Sequence, residues 1–206
     1  MRWKPLYLFL FATLPGCSVY REATSTSVPH VVDWRGVATP ADRERLRSWR
    51  AAWDEALPKA KAADPKAIDG DMALFDPDRA LSAALPPAGT YRCRTYKLGM
   101  AGSGTRDFTA YPWFLCRVAD EGEVRSLHKL TGTQRPTGLL FASTDARAIF
   151  LGTLVLGDET TPLRYGVDGT RDIAGYLERI GEKRWRLVIP RPRFESLLDV
   201  TEMVPN

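Results

Sequence analysis

From Gly89 onward the sequence is a run of short β-rich segments, each closed by turn residues, and few folds accept that pattern. Eight segments stand out: TYRCRTYKLG, TAYPWFLCRVA, VRSLHKLTG, TGLLFAS, RAIFLGTLVLG, DIAGYLERIG, RWRLVIPR and LLDVTEMVP. They are rich in β-branched and aromatic residues, and the links between them carry the residues of tight turns. Six of the seven links are short enough to join antiparallel neighbours, and only DETTPLRYGVDGTR, before Asp172, is long. This order predicts a mainly β fold over residues 89–206, an eight-stranded antiparallel up-and-down barrel of the lipocalin or calycin kind. Closing the sheet removes strand edges that would otherwise aggregate. A two-sheet β-sandwich is the alternative.

Alternation assigns the faces. Trp185, Leu187 and Ile189 point one way, and Arg184, Arg186 and Val188 the other. Leu198, Val200 and Val204 share a face with Glu202. AIFLGTLVL is apolar on both faces, which calls for a second element over its outer side. Gly152 and Gly175 lie mid-strand, where glycine marks a bend or a close backbone approach. Eight strands enclose an interior that side chains fill or that holds one small ligand. Tyr91, Phe114, Phe150 and Trp185 are the large residues available to fill it.

Of the three cysteines, Cys93 and Cys116 fall in the first two strand segments. If those segments form a hairpin, Tyr91, Cys93 and Thr95 share a face, as do Phe114, Cys116 and Val118. A disulfide between Cys93 and Cys116 is expected, and an oxidising compartment would preserve it. No Cys-x-x-Cys spacing occurs, and the histidines are only His30 and His128, so no metal site is expected.

The remaining cysteine, Cys17, explains the N terminus. Arg2 and Lys4 precede a short apolar run, Leu6 to Ala12, far below the roughly 20 residues of a membrane-spanning helix. Residues 1–16 therefore read as a signal peptide. Leu14-Pro15-Gly16-Cys17 resembles a bacterial lipobox, in which the cysteine is diacylated and becomes the new N terminus. Pro15 is an unusual residue at that place. Two acyl chains anchor stably where one binds marginally. Ser18 in the next position points to the periplasmic face of the outer membrane, a soluble periplasmic protein being the alternative. Residues 17–32 then form the lipidated cysteine and a Ser/Thr-rich flexible tether.

Residues 33–88 are expected to form an amphipathic helix and a connecting arm. Thr39 is the expected N-cap, Pro40 the first helical residue, and Asp42 lies in the first turn. Leu46, Trp49, Trp53 and Ala56 or Leu57 make one apolar stripe, read as packing against the main domain. Pro58 is expected to end or kink this helix. The acids of DGD and DPD, in residues 64–88, lack EF-hand spacing and are read as turn residues. The chain carries 29 Lys and Arg against 25 Asp and Glu; without Arg2 and Lys4 the balance is 27 to 25. That is not the charge of a nucleic-acid binder, and no nucleic-acid partner is expected.

Catalytic patterns are not evident. No Gly-x-Ser-x-Gly is present, and His128 in SLHKL has no acid beside it. GMAGSG joins two strands, whereas a phosphate loop needs a helix behind it. Asp168, Asp172, Glu178, Glu195, Asp199 and Glu202 lie near cations and read as solvated ion pairs. Lys183, Arg184, Arg186, Arg191 and Arg193 in KRWRLVIPRPR read as a basic surface suited to an anionic headgroup or glycan. Long loops at a barrel mouth often bind ligands, so Tyr165, Asp168 and Arg171 from the long link, with Gln134 and Arg135, are the binding candidates, together with the inward Trp185.

The segments KLTGTQRPTG, FLGTLVLGDE, TPADRERLRSWRAAW and the stretch from Arg164 to Pro205 resemble the bacterial family called domain of unknown function 4893. The resemblance runs from about Asp33 to the C terminus. It implies an exported proteobacterial protein of about this length, and it supplies no reaction, cofactor, ligand or catalytic residue.

The expectation is a non-enzymatic envelope lipoprotein, held to the membrane by Cys17, that binds a small apolar or amphipathic ligand without a cofactor. A periplasmic protein-binding module, either an inhibitor or an envelope-assembly accessory, is the alternative. A hydrolase or isomerase using acids at the barrel mouth is the weakest of the three.

Overall fold

The computed structural model describes Met1, residues 32–102 and residues 106–206. Apart from Met1, the proposed signal peptide lies outside the described residues, as do Cys17 and the tether up to residue 31. So does most of the tip of the GMAGSG loop.

The sheet closes. In chain order its strands are β1 (Gly89–Met100), β2 (Phe108–Ala110), β3 (Phe114–Asp120), β4 (Arg125–Lys129), β5 (Gln134–Thr144), β6 (Arg147–Leu156), β7 (Asp172–Gly181), β8 (Arg184–Pro190) and β9 (Ser196–Pro205). Eight of them form an antiparallel up-and-down barrel in the order β1-β3-β4-β5-β6-β7-β8-β9, closed by β1 on β9, and β2 is an extra strand beside β1. This closure rules out the sandwich.

The ninth strand arises because the segment expected over 109–119 breaks at Tyr111-Pro112-Trp113. Proline has no N–H to give to a ladder. Long β1 therefore pairs Gly89–Cys93 with β3 and Tyr96–Leu98 with β2. On its other edge it runs along β9 from Tyr91↔Pro205 to Met100↔Ser196.

The N-terminal region covers one outer wall of the barrel. Its helices are α1 (Trp34–Val37), α2 (Pro40–Arg47), α3 (Trp49–Ala63), α4 (Pro65–Asp69) and α5 (Met72–Phe75). Thr39 caps α2 by accepting from the Asp42 N–H, with Pro40 at the first position. The single helix expected here is broken at Ser48, whose hydroxyl bonds back to the carbonyls of Glu44 and Arg45. Pro58, in contrast, does not end α3. Pro58 and Asp54, whose carbonyl loses the i→i−4 donor, both face solvent, where water can take its place. Among the DGD and DPD acids, Asp71 caps α5, and Asp76 accepts from the Asp78 N–H.

Two apolar cores result. The outer one joins the stripe residues Leu46, Trp53 and Ala56 to the outward faces of Ile149, Leu151, Tyr176, Val188 and Leu198. The inner one fills part of the barrel with Tyr91, Leu140, Phe150, Leu177 and Trp185. β6 thus serves both cores, which explains why AIFLGTLVL is apolar on both faces. At one point α3 comes so close to β1 that a Cβ on Gly99, at φ +67°, would stand 3.1 Å from the Ala56 Cα.

Candidate functional site

The barrel interior is solid at one end and open at the other. At the closed end Tyr91 meets Trp185 edge to face, with ring centroids 5.9 Å apart. Phe150 fits there because β5 and β6 carry Gly138 and Gly152 opposite each other. A Cβ on Gly152 would meet the tip of the Phe150 ring at 2.8 Å and the Thr137 carbonyl at 2.3 Å. The connecting arm seals this end from outside. Ala84 and Leu85 join the inner core, the Ala84 N–H donates to the Asp145 carbonyl at 3.0 Å, and the Tyr91 hydroxyl donates to the Pro87 carbonyl at 2.6 Å.

Toward the other end the inward residues of β1 and β9 grade from apolar to ionic. The paired rungs are Cys93↔Met203, Thr95↔Thr201 and Lys97↔Asp199. The two threonine hydroxyls bond each other at 2.8 Å. Lys97 Nζ lies 3.2 Å from Asp199 Oδ2 and 3.3 Å from Glu195 Oε2. Ser196 donates its hydroxyl to Asp199, and the Tyr111 hydroxyl reaches Glu195 at 3.4 Å. Burial works to lower the pKa of Lys97, but the Asp199 and Glu195 carboxylates outweigh it and hold the ammonium above its ordinary value.

Above the aromatic floor these rungs border a cavity of about 470 Å³. Leu127, Leu154, Ile173, Leu187 and Ile189 supply apolar wall. Tyr111, Trp113 and Phe194 stand partly exposed around its mouth. Lys129 faces inward two residues beyond Leu127, opposite Cys116, with Nζ 4.2 Å above the Phe114 ring. Burial, and then the charge of Lys97, lower its pKa from the usual lysine value.

Cys93 and Cys116 form a disulfide inside the barrel, with Cα atoms 6.0 Å apart. Tyr91 is opposite Cys116 and Cys93 opposite Phe114, so the bridge runs diagonally across the β1–β3 ladder. Cys116 also borders the cavity.

Among the candidate ligand residues the structure brings Gln134 and Arg171 to the cavity. Arg171 is held there by Glu159, 2.6 Å away. The other four stand outside the cavity. Arg135 points away and staples loops by donating to the carbonyls of Gly132, Gly157 and Glu159. Asp168 accepts from the N–H and hydroxyl of Thr170 within its own turn. Tyr165 donates to Asp42 and accepts from the Thr39 N–H at 3.0 Å, which ties the long link to α2. Trp185 belongs to the closed end.

The charged residues also depart from expectation. Glu178, Glu202 and Asp172 are buried rather than solvated. Arg186, expected on a basic surface, is fully buried against Glu178 at 2.8 Å. Arg184 pairs with Asp71 and Glu202, and Arg191 with Glu55. Among the described residues no cluster of three or more His, Cys, Asp or Glu is arranged to hold a metal ion. Sequence reasoning missed Lys97 and Lys129 as interior residues. The signal was there: Lys97 continues the Tyr91–Cys93–Thr95 alternation, and Lys129 continues from Leu127.

The family model described as "Domain of unknown function (DUF4893)" matches residues 34–203, from the first helix to the closing strand. No curated protein and no solved structure gives a significant match.

Proposed function

We propose that this chain, which belongs to the DUF4893 family, is a bacterial cell-envelope lipoprotein that binds a small apolar or amphipathic ligand in the open half of its barrel. The observation that carries the reading is the cavity. Its volume lies within the range of about 300–1,000 Å³ usual for small-molecule sites, and its apolar walls face a few convergent polar groups. Gln134 and Arg171 would meet the ligand directly. Arg135, Tyr165 and Asp168 would shape the surrounding loops, and Trp185 would support the floor. The anchor rests on the Leu14–Cys17 motif, and Ser18 after it favours the periplasmic face of the outer membrane.

Native mass spectrometry of the exported, detergent-free protein tests the reading. A bound species of lipid or metabolite mass is expected. A clean apo mass, with no small amphiphile accepted on titration, overturns it. The protein-binding alternative would then gain, and the partly exposed Tyr111, Trp113 and Phe194 around the mouth are its supporting observation.

A further inference from the structure

The cations around the cavity are not equivalent. Arg45 pairs with Asp42 at 3.0 Å, Lys97 is held between Asp199 and Glu195, and Arg171 pairs with Glu159. Arg193 is exposed. Lys129 alone of these five lining cations is turned inward, half-buried and without a carboxylate or hydrogen-bond partner among the described residues. Its ammonium lies over the Phe114 ring face, and Asp199 acts on it only through space, without an ion pair. The placement follows from strand geometry: Leu127 and Lys129 share the inner face of β4, and the β3 partner of Lys129 is Cys116, itself inward.

We propose that the ligand carries an anionic group and that Lys129 is the residue that pairs with it. The inference rests on the cavity being a ligand site. A half-buried cation without a counter-charge in contact is costly to hold, and an incoming anion lowers that cost. The depressed pKa of Lys129 agrees with such an unsatisfied site. Lys97 is the poorer receptor because two carboxylates already satisfy it. The carbon body of the ligand would then lie along Leu127 and Leu187. A carboxylate and a phosphate head both meet this description.

Calorimetric titration of the full chain with dodecanoate, monododecyl phosphate and dodecanol, each below its aggregation concentration, tests the assignment. The same chain length fills the apolar part in each, so only the head differs. At least one anionic amphiphile should bind about tenfold more tightly than dodecanol, the effect of one charge-assisted hydrogen bond. Which of the two does so separates a carboxylate ligand from a phosphate one. Lys129→Met should bring that amphiphile to the affinity of dodecanol and leave dodecanol unchanged, and Lys129→Arg should retain the preference. Equal affinity for all three in the native protein overturns the role of Lys129, and that comparison does not depend on a variant folding. A preference that survives in Lys129→Met also overturns it. Binding of none of the three by the native protein overturns the cavity reading itself.

Discussion

Trp53 donates its indole N–H to the hydroxyl of Tyr176 across 2.6 Å, and this bond joins helix α3 to the outer face of β7. Both side chains are almost fully buried in the outer core. Tyr176→Phe leaves the indole N–H buried and unpaired and should cost about 1–3 kcal/mol. Trp53→Ala removes the ring as well and should cost about 3–5 kcal/mol. Urea unfolding checks both. Equal losses in the two variants would mean that the bond, not the ring, holds the helix.

Arg186 should be among the least replaceable residues on the outside of the barrel. Its guanidinium meets Glu178 and donates to the carbonyls of Leu74, Asp76 and Arg79, so one buried side chain fastens β8 to the arm. Arg147 bonds the other Glu178 oxygen at 3.0 Å. Arg186→Met removes one of the two cations on the buried Glu178 carboxylate and leaves three carbonyls without their donor, and should cost about 3–5 kcal/mol. Limited proteolysis should also show faster cutting between residues 70 and 88. An unchanged digestion pattern would refute the fastening role.

The Cys93–Cys116 bridge closes a loop with a sequence separation of 23. Such a loop predicts about 3 kcal/mol of stabilisation over the reduced chain in the chain-entropy picture. Denaturant midpoints with and without reductant measure it. Thiol labelling of the oxidised, unfolded protein should modify neither cysteine.

Tyr165 should make helix docking sensitive to alkali. Its burial, reinforced by the bond to the Asp42 carboxylate, pushes the phenol pKa up to about 12 from an ordinary value near 10. A group raised in the folded state contributes stability that is complete below its unfolded pKa and lost as pH rises through the folded one. Stability measured from pH 9 to 12 should therefore fall more steeply in the native protein than in Tyr165→Phe. Parallel curves would show that the phenol is not the titrating group.

Cys17→Ser should move the protein from the membrane fraction to the soluble periplasmic extract, because two acyl chains supply the anchoring energy proposed for it. Retention in the membrane fraction would refute lipidation at Cys17.

Much of this architecture was legible before any coordinates. The period-2 segments named the barrel strands, and the Thr39-Pro40 start of α2 followed from cap chemistry. The faces of Trp185, Leu187 and Ile189 followed from alternation alone. The break at Ser48 was not read from the sequence because it depends on a side chain bonding back to its own turn, and Pro58 does not end α3 because the carbonyl it orphans meets water. Arg186 of KRWRLVIPRPR was misjudged because charge suggests solvent, and burial becomes acceptable only when partners distant in sequence arrive. Leu74, Asp76 and Arg79 do that for Arg186, more than a hundred residues away.

By itself the sequence determined the strand pattern, the two-sided apolarity of β6 and the placing of Cys93 and Cys116 on neighbouring strands, because these depend on local periodicity and turn chemistry. The tertiary structure alone decided that the barrel is half filled. Whether Tyr91, Phe150 and Trp185 close one end and leave the other open depends on register and ring packing across eight strands. The same register leaves Lys129 without an ion-pair partner among the described residues while Lys97 has two, a difference that exists only once β1, β4 and β9 are side by side around one interior.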